Sequence, residues 1–166
     1  AGAGTQAKLI SKHYNLFYLD TGKIYRYIGL LRLRNSKRFS YSLIKKKIDK
    51  LKINMLQNKV LLNNEVAMSA AYIAKDKKIR DIVHKFQKKY AYFPPKSYSG
   101  SVLDGRDIIT VQLKDAMFKF FITASVKVRA KRRFLEYKKL NKKISYVEVL
   151  KSLRIRDKLD KERKYG

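Results

Sequence analysis

Cysteine is absent from the 166 residues, so disulfides and thiolate metal sites are excluded. Histidine is scarce. His13 and His84 stand far apart in the chain and make a poor basis for a metal site, so no resident set of metal ligands is expected. No uncharged apolar run approaches the roughly 18 residues of a membrane span, and no secretory leader is visible. The expectation is a cytoplasmic protein without membrane contact. Internal repeats and low-complexity linkers are missing. So is an initiating methionine, the chain opening on "AGAGTQAK", which points to a processed or incomplete chain. Acid is in short supply: 13 Asp and Glu face 41 Lys and Arg, a net charge of +28. A field of that sign attracts polyanions, so nucleic acid, nucleotide phosphates and anionic membranes are the partners that charge alone allows. Lysine supplies most of the excess and is spread along the whole chain, which favours a composition bias or a generally basic surface over one basic patch.

What is present suits a single folded domain. A chain of this length buries roughly two-thirds of its unfolded surface, and a hydrophobic content of 45% is ordinary for a globular protein. "AGAGTQAKLISKHYN" reads as a glycine-rich turn and a helix, with Ala7, Ile10 and Tyr14 on one face. "NLFYLD" is a short strand ending in acid. "TGKIYRYIGLLRL" is a helix through Ile24, Ile28 and Leu31, with Thr21 at the N-cap position. "SYSLIKKKIDKLK" is a short basic helix, and "INMLQNKVLLNN" reads as a hairpin turning near Gln57 and Asn58. "VAMSAAYIAKDKKIRDIVHKFQKKYAYFPP" is one or two helices. Its stripe of Ile79, Ile82, Val83, Phe86 and Tyr90 is apolar, and Pro94 and Pro95 stop it. "SVLDGRD" and "MFKFFITAS" are two further strands, and two more helices follow, the last capped by Ser145. Alternation of this kind predicts an α/β domain with a parallel sheet. Phe118, Phe120 and Phe121 alternate with Lys119 in a way that suggests an RNA-stacking strand, but the glycine-containing pattern of that motif is missing and core packing is the expectation.

Four stretches can carry chemistry. In the glycine-rich opening, Gly2, Gly4 and Thr5 precede or begin a helix whose N–H groups can bind phosphate; a flexible terminus is the alternative. In "LDTGKIYR", Thr21 and Tyr25 are four apart with Arg26 adjacent, either facing a ligand or forming a capped, solvated helix start. In "VLDGRDIITV", acid, glycine, base and acid follow a strand, where ligands of open α/β sheets bind. Arg106 could clamp a phosphate through its rigid fork, while Asp104 or Asp107 could hold a metal's water or a base donor; a solvated turn is the alternative. In "RIRDKLDKER", Arg156, Asp160 and Arg163 share one helix face at i, i+4, i+7. They form either a surface salt-bridge ladder or a pair of arginines closing over a phosphorylated ligand.

In this order the four pieces resemble the bacterial cytidylate kinases, a branch of the P-loop nucleoside monophosphate kinases. The likeness is most specific in "YLDTGKIYR", "DGRDIITVQLKDAMFKFFITASVKVRAKRR" and "RDKLDKER", and it spans nearly the whole chain. It separates the sequence from adenylate kinases, where the strand end reads Gly-Phe-Pro-Arg rather than Gly-Arg-Asp. The resemblance implies a nucleoside-monophosphate-kinase-like parallel sheet flanked by helices, with a small insert for the acceptor nucleotide and an arginine-rich lid. Residues 1–34 would be the first part of the core with a P-loop remnant, 35–75 a shortened insert, 76–153 the second part of the core, and 154–166 a truncated lid segment.

The implied activity is transfer of the γ-phosphoryl group of ATP, with Mg²⁺, to CMP or dCMP. Carried over by position, Thr21, Tyr25 and Arg26 match acceptor contacts, Arg80 and Asp107 residues reading the cytosine, and Arg106 a phosphate contact. Arg156 and Asp160 match contacts to the acceptor's sugar and Arg163 a lid arginine, with Arg156 and Arg163 the implied catalytic pair; Gly2, Gly4 and Thr5 fall in the ATP-phosphate loop. A monomer without an obligatory protein partner is expected, with nonspecific nucleic-acid affinity from its charge. The sequence also departs from the family. Ala3 stands where the family has its P-loop lysine, and the complete G-x-x-x-x-G-K-[ST] pattern is not present. Ala71 replaces a serine that contacts the base, Ile109 replaces a glycine, and Gly166 comes before the family's last strand and helix. The chain is therefore read as incomplete at both ends; an enzyme truly lacking that lysine would lose several kcal/mol of transition-state stabilisation. The competing classes are a basic nucleic-acid-binding protein and a catalytically inactive kinase-fold module.

Overall fold

The computed structural model describes residues 2–106, 108–109, 113–141 and 143–162, apart from the side chains of 159–161. The elements are α1 (Ala3–His13), β1 (Leu16–Asp20), α2 (Thr21–Arg34), α3 (Tyr41–Asp49), α4 (Asn64–Ile73), α5 (Lys77–Tyr92), β2 (Gly100–Asp104), α6 (Val126–Lys139) and α7 (Tyr146–Lys161). Contacts divide the chain into two compact bodies, one over residues 4–116 and one built on α6 and α7. The fold is mixed α/β, with a parallel pair of strands flanked by helices. Among the described residues, no helix is long and apolar enough to cross a membrane.

In the larger body, β1 shows the period-two pattern of a strand between two layers. Phe17 and Leu19 are buried, while Leu16, Tyr18 and Asp20 lie on the half-buried face. The buried pair enters a core with Ile24 and Ile28 of α2 and Val83 and Phe86 of α5. The other face meets α1, where the Ser11 hydroxyl donates to the Leu16 carbonyl at 2.6 Å and the Lys8 ammonium lies 5.7 Å from the centre of the Tyr18 ring. β2 runs parallel to β1 in the register Leu16↔Gly100 through Asp20↔Asp104. Two aspartates therefore stand side by side where both strands end.

Helices α2 and α4 cross at Gly29. A Cβ there would stand 2.8 Å from the Ala70 amide nitrogen and 3.0 Å from the Val66 carbonyl oxygen, so only glycine permits this approach. The long helical stretch after residue 63 is two helices, because Asp76 accepts from the Ile79 amide at 3.1 Å and starts α5 afresh. The expected α5 stripe is in the core: Ile79, Val83 and Phe86 are buried, with Ile82 and Tyr90 packed beside them.

Four local expectations are corrected. "INMLQNKVLLNN" forms no hairpin; it makes two 3₁₀ turns, Ile53–Gln57 and Lys59–Leu62. The Asn58 side chain accepts from the Val60 amide, and Leu56 and Leu61 drop separately into the core, so the core takes the apolar residues that a hairpin would have paired. "MFKFFITAS" forms no strand, and Phe118, Phe120 and Phe121 are 75%, 65% and 88% exposed rather than packed in a core. Alternation favours an extended chain, but a strand needs a neighbour for its N–H and C=O groups, and among the described residues none lies beside it. Thr21 is not the cap of α2; Asp20 holds that position and Thr21 is already helical. Tyr14 lies past the end of α1 and is 63% exposed, the left-handed Asn15 having turned the chain away.

In the smaller body, Ser125 caps α6 through the Val128 amide. Ser145 caps α7 as expected, and Glu148 reaches back to complete a reciprocal capping box.

Candidate active site

The carboxyl ends of β1 and β2 form one corner. Thr21, 3% exposed, begins α2 directly after Asp20 and donates its hydroxyl to the Asp104 carbonyl at 2.8 Å. That bond ties "LDTG" to "LDGR" across 83 residues. Gly105 follows at once, and its missing side chain is required: a Cβ there would lie 2.3 Å from Thr21 Oγ1 and 2.7 Å from Ile108 Cγ1. Arg106, next in the chain, is exposed beyond this tight turn. Asp107 lies outside the described residues.

The Asp20 and Asp104 carboxylates supply the corner's negative charge. Burial and the neighbouring Asp20 raise the Asp104 carboxyl above the ordinary carboxylate range, against the Tyr18 hydroxyl and the Lys8 ammonium. Tyr18 donates to Asp104 Oδ2 at 3.4 Å. Burial, with Asp20 and Asp104 close by, pushes its phenol well above its usual value, so it stays a donor. The first turn of α1 closes over the same carboxylate. A Cβ on Gly4 would stand 2.8 Å from Asp104 Oδ2 and 3.3 Å from the Tyr18 oxygen, so glycine is what lets the helix start approach the strand end. The left-handed Gly2, φ 91°, leads into that turn, and Thr5 lies within it, exposed. Ala3 is the first residue of α1.

The remaining predicted acceptor residues sit around the larger body. Tyr25 packs against the core with its hydroxyl buried. Arg26, half-buried on α2, donates from Nη1 to the Leu61 carbonyl at 2.6 Å, which places its guanidinium against the second 3₁₀ turn. Arg80, in the first turn of α5, is 3% exposed and reaches the Ala74 carbonyl at 3.5 Å. Ala71 is half-buried on α4 and Ile109 half-buried after the tight turn. The structure thus joins Thr21 directly to the end of β2, and ties Arg26 and Arg80 to backbone carbonyls that flank α2 and α5.

The other arginines belong to the smaller body. Arg156 is exposed on α7, and Asp160 lies four residues on in the same helix, its side chain outside the described residues; Arg163 is outside them as well. Asp157, next to Arg156, is bound by Arg129 of α6 through two hydrogen bonds of 2.8 and 2.5 Å.

Chemically, the corner offers two hard carboxylates, a hydroxyl locked to the backbone, a helix start and an exposed arginine: donors and charges suited to a phosphorylated ligand and a hydrated cation. Among the described residues, no group of three or more His, Cys, Asp or Glu could hold a metal by itself. Sequence reasoning passed over Tyr18 and the Arg129–Asp157 pair. Period two does put Tyr18 on the face of Asp20, but its bond to Asp104 depends on a strand pairing that no local pattern reveals. Nothing local marks Arg129 and Asp157 as partners.

The cytidylate kinase family model matches residues 1–166. The curated cytidylate kinase of Clostridium botulinum is 35% identical, the alignment covering 99% of this chain and 78% of that protein. That of Bartonella tribocorum is 38% identical over 99% of this chain and 75% of its own length. The Fusobacterium nucleatum protein is 35% identical, with 99% and 78% covered.

Proposed function

Because the chain belongs to the cytidylate kinase family, we propose that the corner where β1 and β2 end is the wall that receives its acceptor nucleotide. The activity is that of a phosphotransferase moving a phosphoryl group from ATP to CMP or dCMP. One observation carries the placement: the Thr21 hydroxyl bonded to the Asp104 carbonyl, which brings the two most family-specific stretches of the sequence together.

Around this point the roles divide by chemistry. Thr21, Tyr25 and Arg26 hold the acceptor from α2, Arg106 meets its phosphate, and Arg80 with Asp107 reads the cytosine. Gly2, Gly4 and Thr5 at the start of α1 face the phosphates of ATP. Arg156 and Asp160 meet the acceptor's sugar, and Arg156 and Arg163 neutralise charge on the transferring group. Residues 35–75 act as the acceptor insert between core segments 1–34 and 76–153, and 154–166 as lid. Little covalent chemistry falls to the protein in phosphoryl transfer, so orientation and charge neutralisation do the catalytic work. Lid arginines closing over the group exclude water, which competes as acceptor.

Magnesium fits this corner, because Asp20 and Asp104 are paired hard-oxygen donors at the strand ends and would hold the ion through its waters. Bound there with ATP, it would supply positive charge against the terminal phosphates. A cytoplasmic monomer without an obligatory partner completes the reading, and the charge of +28 adds salt-sensitive, sequence-independent affinity for nucleic acid.

Steady-state ADP formation tests the proposal. It depends on CMP or dCMP and falls away with AMP as acceptor. Arg26→Ala and Arg106→Ala raise the KM for CMP with a smaller effect on the KM for ATP. ADP formation indifferent to the acceptor, or variants that change only the KM for ATP, would move the acceptor elsewhere.

A further inference from the structure

We infer that the Arg129–Asp157 pair is a positioning clamp that sets the rotation of α7 and so the direction in which Arg156 leaves it. Each nitrogen of the Arg129 guanidinium donates a hydrogen bond. Nε donates to the Ala124 carbonyl at 3.0 Å, Nη1 to Asp157 Oδ1 at 2.8 Å and Nη2 to Asp157 Oδ2 at 2.5 Å. A fork fixed at three points cannot swing, so it holds Asp157 in one orientation against the start of α6. Arg156 precedes Asp157 by one residue, about 100° around the helix, and Asp160 lies one turn beyond Arg156. Fixing Asp157 therefore fixes the face that Arg156 presents.

Hydrophobic packing gives little competing control. Among the described residues of this body, Ala130 and Val149 are the buried apolar side chains, and neither is large. At the opposite end of the helix pair, Phe134 meets Tyr146 edge-on with ring centres 6.2 Å apart. One aromatic contact and one ion pair thus pin α7 at its two ends. Lys158 pairs with Glu162 at 3.8 Å, along the same helix rather than across to α6.

The role assigned to Arg156 rests on the kinase reading, so two readouts are needed. In the full chain, Arg129→Lys keeps the charge but loses the fork, and Asp157→Asn keeps the shape but loses the charge. Each lowers kcat for CMP about tenfold or more, because a small misplacement is enough, and raises the KM for CMP while leaving the KM for ATP within about twofold. The double variant loses no more than the worse single one. In both single variants, amide hydrogen exchange in α7 accelerates while that in α2 is unchanged. Single variants with the kcat of the unaltered protein, losses that multiply in the double variant, or unchanged exchange in α7 would each overturn the clamp. If the unaltered protein formed no ADP with CMP, the kinase reading would fail, and exchange in α7 would still decide the clamp.

Discussion

Gly105→Ala adds one methyl group where the chain leaves β2, and the surroundings leave no room for it. The new carbon would lie 2.3 Å from Thr21 Oγ1 and 2.7 Å from Ile108 Cγ1. Neither atom is the free end of a flexible side chain. Thr21 is 3% exposed and Ile108 8% exposed, and both atoms are bonded directly to Cβ. If Thr21 rotates away, its bond to the Asp104 carbonyl is lost, at about 1 kcal/mol, and an off-rotamer χ1 adds about 0.5–1.5 kcal/mol. If Ile108 yields instead, overpacking costs about 1–3 kcal/mol. Alanine stiffens the unfolded chain and returns about 0.4–1 kcal/mol. The expected net loss is about 0.5–2 kcal/mol, read as a lower urea midpoint with an unchanged slope. Thr21→Val removes the hydroxyl at constant shape and serves as the partner variant. In Thr21→Val/Gly105→Ala the effects should fall short of additive, since both act on one contact. The KM for CMP should rise in Gly105→Ala. A Gly105→Ala protein as stable as the unaltered one, with the same KM, would refute the tight corner.

Two further perturbations test the frame around the corner. Gly29→Ala sets a Cβ 2.8 Å from the Ala70 nitrogen; overpacking of about 1–3 kcal/mol exceeds the helix-propensity gain of about 1 kcal/mol, so the midpoint of urea unfolding falls, and a rise would contradict the close crossing of α2 and α4. Asp76 caps α5. Burial raises its carboxyl, but the Tyr41 hydroxyl at 2.7 Å and the amides of Ile79 and Lys78 outweigh that and hold it below its ordinary value. The unfolded chain therefore binds the proton first as pH falls, and the stabilisation, present above the ordinary carboxylate pKa, is lost as pH drops through the lowered one. Asp76→Ala should cost about 1 kcal/mol at pH 7, less in high salt, and the gap should shrink as pH falls below the ordinary carboxylate range; a gap independent of pH would place the cap's effect elsewhere.

The readable and unreadable parts of this sequence differ in range. The stripe on α5, the strand "LFYLD" and the Ser145 cap follow from local residue types and spacings of two to seven residues, which local physics dictates. The acid at each strand end was visible for the same reason. That Thr21 would leave the cap position to Asp20 and reach the Asp104 carbonyl was not, because the choice belongs to a strand register set by residues 83 apart. "MFKFFITAS" shows the opposite failure: its alternation is a strand's, yet pattern alone does not supply the neighbour that would make it one. In "INMLQNKVLLNN", Asn58 served as a local cap rather than a hairpin turn, and burial of Leu56 and Leu61 in one core outweighed their pairing. Arg156 was singled out by the resemblance to a family, whereas its neighbour Asp157 gained meaning only beside Arg129.

Calorimetric titration with CMP, in the unaltered protein and in the Arg26→Ala/Arg106→Ala variant, tests the acceptor corner most directly. Losing two charge-assisted contacts should weaken CMP binding about tenfold or more, at a temperature where both proteins remain folded. Equal affinity in the two proteins would contradict the placement of the acceptor nucleotide at the ends of β1 and β2.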